Sequence, residues 1–432
     1  MFRKAFQLML LCALGMFVLL ILPNGPLSGL MLGQAPQRQQ QVTSTAASPA
    51  AAADTRKTVE IKRAPLRVIK DPNSSFSAVA VDVAHNEIVL QDENLAQIMV
   101  YGRQDNTPSK AALTEPKRII GGSATKVAMN CGVYVDPETG DIYNVNGDTQ
   151  DWLTVFSREQ KGNVPATREL EAPHRAFGVT VDEEAKELFV TVQHPPAVVV
   201  WPKYAQGKDA PLRILEGQKT MLAEAQGIAL DTKNQLMYVA NQGAYARMPN
   251  SIGWSRALQP GAKTWEIPDR VLDLIPGTGE FHDPSINVYP LKANGDTPPI
   301  RMIQGALTRL NWPAHLSLDV EHQELYVANP VTQEITVFSA SASGNVAPIR
   351  SIKGSHTQLA YPHGVFVDTK NDEVVVANFG NHSSTIYKRT ASGDAAPVRQ
   401  IRAAPPDAPA PMFGNIGSAT YDTKRSQLLI FN

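Results

Sequence analysis

Nine histidines are the side chains of this 432-residue sequence best suited to chemistry. A neutral imidazole ligates divalent transition metals and exchanges protons near neutral pH. No HxxxH-type spacing joins two of them locally, so a histidine site must be assembled from distant segments. His315 and His363, with His174 or His282 beside them, are the candidate metal ligands; a divalent ion held there would polarise a carbonyl or activate water. The competing reading makes His315 and His363 structural groups with satisfied hydrogen bonds. Covalent catalysis has no support, because neither a nucleophile elbow nor a Ser-His-Asp pattern is present.

Elements that could bring these residues together appear as an internal repeat, typified by YPHGVFVDTKNDEVVVANFG, then STIYKR, then SGDAAPVRQIRA. The aspartate ending its first apolar run recurs at Asp82, Asp136, Asp182, Asp231, Asp319, Asp368 and Asp422, mostly 46 to 54 residues apart. Each unit holds four short strand-like runs separated by Asp, Asn, Gly, Ser and Pro, the blade period of a β-propeller. The longer interval from Asp231 to Asp319 implies an insertion of roughly 40 residues, placed at 242–284 between the second and third strands of its blade. Six complete units leave complementary fragments at the two ends. TVEIKR and APLRVIKD read as third and fourth strands, and GSATYD and QLLIFN as first and second. The expectation is therefore an all-β, seven-bladed propeller over residues 58–432, closed by a blade made of two strands from each terminus.

In such a blade the first strand lines the central channel, and its start shares a face with the end of the second strand. Phe177, Gln226 and His363 stand five residues before a repeat aspartate, while Asn329 and Asn378 stand ten residues after one. All should ring one mouth. Seven of the nine histidines fall beside connections on that face, and only His85 and His322 beside the opposite turns. Phe177, Gln226, Asn329 and Asn378 are thus candidate ligand contacts, although Asn after a strand commonly closes its own turn. The insertion belongs to the same face and adds Trp254 and Trp265, because long loops on a rigid scaffold often carry binding. Among the mouth positions only Asp92 is acidic, which argues against paired-carboxylate glycosidase chemistry.

PHGVFVD, ELYVAN and the following ITVF resemble the NHL and YVTN-type repeat propellers, and the likeness runs over nearly all of residues 58–432. That resemblance implies the fold. It leaves function open, since such propellers include lactonases, lyases, amidating enzymes and binding modules. The early glutamate of the gluconolactonase-like metal site has no match here, whereas virginiamycin-lyase-like and amidating-lyase-like propellers use channel histidines, and that comparison stays open.

Composition sets the remaining bounds. With 43% hydrophobic residues and a formal net charge of −1, the chain can bury a core and lacks the basic excess of a nucleic-acid binder. Arg3 and Lys4 precede an apolar run from Ala5 to Leu22, so residues 1–33 are expected to act as a signal peptide or membrane anchor, with the rest outside the cytoplasm. Residues 34–57, rich in Gln, Ala, Ser, Thr and Pro, are expected to be a disordered linker. Cys12 lies within the leader, so Cys131 has no partner for a disulfide in the mature domain. Two functions follow as expectations. One is a monomeric extracytoplasmic module binding a protein, peptide or glycan through the mouth and insertion. The other is a metal-dependent, lactonase-like lyase or hydrolase built on the histidines.

Overall fold

A computed structural model describes residues 74–147, 150–245, 253–267, 278–406, 408, 418–422 and 427–431. The expected leader, linker and N-terminal strand pair lie outside the described residues. Among those described, no helix is long and apolar enough to cross a membrane.

Six four-stranded antiparallel sheets follow one another along residues 76–402, each a blade ordered from its first strand to its fourth. Their first strands are Phe76–Asp82, Asn130–Val135, Ala176–Asp182, Ala225–Asp231, Leu316–Asp319 and Pro362–Asp368. Middle strands such as ELFVTV and AVVVWP are nearly unbroken apolar runs, because neighbouring blades cover both of their faces. The repeat aspartates from Asp82 to Asp368 are buried and shape the turn between first and second strands. Asp82, Asp231, Asp319 and Asp368 each accept the backbone N–H three residues on, at 2.8–3.1 Å.

Fourth-strand arginines fold back onto their own blade. Arg118, Arg213, Arg350 and Arg399 pair with Glu87, Glu187, Glu324 and Glu373 at the start of the second strand. The Arg350 guanidinium, outweighing burial, holds the Glu324 carboxyl below the usual carboxylate range.

Adjacent blades are joined by a repeated clamp. The fourth strand of one blade bridges a glycine of the next, at Ile120–Gly162, Leu170–Gly207, Leu215–Gly295, Ile303–Gly344 and Ile352–Gly393. The residue after the glycine then accepts the first free N–H groups of a 3-10 turn in the preceding blade. Asn163 takes that of Ala124, Asp296 that of Lys219, Asn345 that of Leu307 and Asp394 that of His356, at 2.6–2.7 Å. Where Lys208 replaces the capping Asn or Asp, the preceding fourth strand runs into Ala172-Pro173 and no 3-10 turn follows it.

Closure corrects the expected count of seven blades to six. Val79 and Val81 of the first blade share one core cluster with Val375, Ala377 and Ile386 of the sixth. Thr107 N–H donates to Gln400 O at 2.9 Å and Thr114 N–H to Arg402 O at 2.8 Å, so the first blade clamps the fourth strand of the sixth. Arg103 adds an ion pair to Glu373 at 2.9 Å, repeating the reach of Arg158 to Glu87 and of Arg389 to Glu324. The side of the first blade on which a seventh would pack is occupied by the sixth. The C-terminal strands Ser418–Asp422 and Gln427–Phe431 do pair with each other, as a two-stranded sheet of their own.

Candidate functional site

Irregularity in the first strands positions the channel residues. In five of the six, pairing with the second strand slips near the start, over Ser77, Cys131, Phe177, Gln226 and His363. A bulge of this kind frees a residue from the ladder and re-aims its side chain. The next residue must be small, because first strands of adjacent blades converge there. A Cβ on Gly132 would stand 2.1 Å from the Phe177 carbonyl oxygen, and one on Gly178 would stand 2.6 Å from that of Gln226. In the fifth blade His315 takes the place of that small residue.

His315 and His363 meet, with ring centroids 5.5 Å apart. Phe177 stacks on His315 at 5.1 Å and leans on His363 at 5.8 Å, while Phe379 covers His363 from the other side at 5.6 Å. His315 Nε2 donates to the Cys131 carbonyl at 2.8 Å and His363 Nδ1 to the Ser77 carbonyl at 2.7 Å. These acceptors lie on the edges of first strands that face the channel and have no strand partner. Such an edge needs donors from elsewhere. Burial, reinforced for His315 by the neighbouring His363, depresses the imidazoles to about 3 and about 4. Both rings are therefore neutral at physiological pH, and together with Phe177 they plug this end of the channel.

The other two proposed metal ligands are not brought to this point. His174 is exposed and bonds Asp151 at 3.0 Å; His282 stacks on Tyr245 at 5.1 Å and contacts Glu280 at 3.2 Å. Among the described residues, no group of three or more His, Cys, Asp or Glu could hold a metal ion. Asn329 and Asn378 are fully buried. Their side-chain oxygens accept the N–H groups of Asn311 and Ala360 at 3.0 and 3.1 Å, so both close turns of their own blades. Gln226 is also fully buried, with neither atom of its amide hydrogen-bonded.

Trp254 and Trp265 were expected to offer themselves to a ligand, and the structure buries both instead. Trp265 packs against Trp201 at 5.9 Å, and Trp254 donates through Nε1 to the Pro195 carbonyl at 2.9 Å. They anchor the insertion to the third blade, as large apolar side chains with one polar handle can. The insertion thereby presents a different set. Tyr245, Glu280 and His282 of the insertion, with Gln218, Met221 and Leu222 outside it, line a cleft of about 330 Å³, and Phe281, next to two of them in sequence, is 66% exposed. Sequence reasoning missed Tyr245, Met221 and Gln218. Only the position of Tyr245, four residues beyond the strand-ending Asn241, hinted at its place on that face.

A second cavity, of about 340 Å³, occupies the channel itself. His315 lies at its plugged end, and Val83, Ala84 and Pro137 of the first-to-second-strand turns lie at the other. The lumen thus opens on the face opposite the one selected from the histidine distribution.

Residues 359–383 match the NHL repeat family. Comparison with curated protein sequences finds no match. Among solved structures, the chain is similar to hydrazine synthase of Kuenenia stuttgartiensis, at 10% identity over 76% of this chain and 99% of that one, with a TM-score of 0.47. It is also similar to the Cps50 (Swd1) β-propeller domain of Myceliophteria thermophila, at 9% identity over 77% and 88% with a TM-score of 0.44. A functionally unknown protein from Desulfotomaculum acetoxidans matches at 12% identity over 78% and 86%, with a TM-score of 0.46. The chain is a β-propeller that carries an NHL repeat in the last of its six described blades.

Proposed function

We propose that this propeller is an extracytoplasmic binding module that holds a protein or peptide partner in the cleft between the insertion and the fourth blade. The observation that carries this reading is the division of labour within the insertion. Two buried tryptophans fix it to the scaffold, while Met221 is left 44% exposed in a cleft that also offers Tyr245, His282 and Glu280, and Phe281, between the last two in the chain, is 66% exposed. An aromatic anchor on a rigid support, rimmed by polar groups, is the usual centre of a protein contact. Placement outside the cytoplasm rests on Arg3, Lys4 and the apolar run that follows.

Metal-assisted chemistry at the plug is the weaker reading, because among the described residues no third His, Cys, Asp or Glu joins His315 and His363 to complete a ligand set. The test is a peptide-display selection against the whole chain, with selected peptides re-measured on a Phe281→Ser, Met221→Ser variant. Affinity should fall by about 30-fold, as for loss of one central contact. Equal affinity for both proteins would remove the cleft from consideration.

A further inference from the structure

We propose that the central channel binds a neutral, largely apolar small molecule carrying one hydrogen-bond donor, which enters from the face of the first-to-second-strand turns. This site is independent of the insertion cleft, which lies on the other face.

Every blade contributes an aliphatic side chain to the wall. Val79, Val133, Val179, Ile228, Leu316 and Val365 supply one residue from each blade, enclosing about 340 Å³. That volume falls within the range of small-molecule pockets, and walls of this kind favour burial of apolar surface. Charge is excluded as well. No lysine or arginine lines the cavity, and its one carboxylate, Asp82, is engaged with the His85 side chain at 2.7 Å and the His85 N–H at 2.9 Å. Tyr134, Thr180 and Ser317 also line the wall. Tyr134 donates to Glu183 at 2.6 Å, and the Ser317 hydroxyl oxygen accepts from the Val367 N–H at 3.0 Å.

His315 differs. Its Nε2 faces a carbonyl, which can only accept, so the proton sits on Nε2 and a neutral ring leaves Nδ1 as a bare acceptor. Nδ1 has no hydrogen-bond partner among the described residues. The ring lies at the closed end of the lumen, where it would meet the polar end of a ligand whose apolar body follows. A carboxylate is disfavoured at this end, having neither a donor on Nδ1 nor a cation to pair with.

The rival is a channel filled only with water, which the free edges of the first strands would also bind. Calorimetric titration of the full chain at pH 7 with 1-octanol, octyl methyl ether and octanoate separates the two. The proposal expects saturation at one octanol per chain. It expects about 3- to 10-fold weaker binding of the ether, which lacks the donor, and at least about 10-fold weaker binding of octanoate. Leu318→Trp, which fills the lumen from its wall, should abolish octanol binding. His315→Phe keeps an aromatic ring against Phe177 and should erase the preference for octanol over the ether. If that variant fails to fold, the three probes on the unaltered chain and Leu318→Trp still decide. Unsaturable octanol binding, octanoate bound as tightly as octanol, or full binding by Leu318→Trp would each overturn the site.

Discussion

The plug histidines make stability fall as pH drops from 7 to 5, well above the range in which carboxylates respond. In an unfolded chain each imidazole titrates near 6.5, whereas in the propeller His315 and His363 are held down to about 3 and about 4. Between these limits the unfolded state binds two protons that the folded state refuses, so stability is present above about pH 6.5 and is lost as pH falls towards the folded values. Each group costs about 1.4 kcal/mol per pH unit once the unfolded imidazole is fully charged. Summed over both and integrated from pH 7 to pH 5, the loss is about 4 kcal/mol. That is a large share of the ~5–15 kcal/mol that holds a domain together. The acidic side chains paired with arginine, Glu87 and Glu324 among them, have depressed values and lose their contribution only below about pH 4.5. Urea denaturation at pH 7, 6 and 5 measures the effect. The comparison is a His315→Gln, His363→Asn variant, whose amide nitrogens stand in for Nε2 and Nδ1 as donors to the Cys131 and Ser77 carbonyls. The histidines bonded to surface carboxylates are common to both proteins and cancel. An unaltered chain whose stability changes no more than that of the variant would refute neutral, buried imidazoles at the centre of the ring.

Two structural predictions concern the ring itself. Gly132→Ala would place a Cβ 2.1 Å from the Phe177 carbonyl, and forcing adjacent first strands apart should cost about 3 kcal/mol, read as a lowered denaturation midpoint. Asn345→Ala removes the oxygen that accepts the Leu307 N–H in the neighbouring blade and should cost about 1 kcal/mol, whereas Lys208→Ala, at the equivalent position without a 3-10 turn, should cost much less by the same assay.

The blade itself was legible in the sequence because every determinant of it is local. The four strand-like runs, the turn residues between them and the repeat aspartate all lie within one repeat, and the strands of the six described blades occur where those signals place them. The number of blades was not legible in the same way. GSATYD and QLLIFN form a strand pair whether or not a ring includes them, and whether it does depends on contacts between residues some 300 positions apart. The closing contacts had a signature that could have been used. Arg103 stands just after its third strand, as Arg158, Lys203 and Arg389 stand after theirs, and each such residue reaches back to the preceding blade. For the first blade the preceding blade is the sixth.

The role of the channel histidines was not legible for a related reason. Counting side chains on a face assumes that those near the channel project towards a ligand, but a propeller's innermost strands have an unpaired edge, and that edge needs donors and acceptors before any ligand does. At its plugged end the edge is satisfied by side chains, with His315 and His363 serving the Cys131 and Ser77 carbonyls and Thr191 serving that of Gln226. A histidine that donates through one nitrogen and stays neutral still retains an acceptor on the other. The hydrogen bond to the Cys131 carbonyl therefore fixes the tautomer of His315 and leaves Nδ1 bare. The same hydrogen bond that closes one end of the channel thereby sets which polar group the open lumen can recognise.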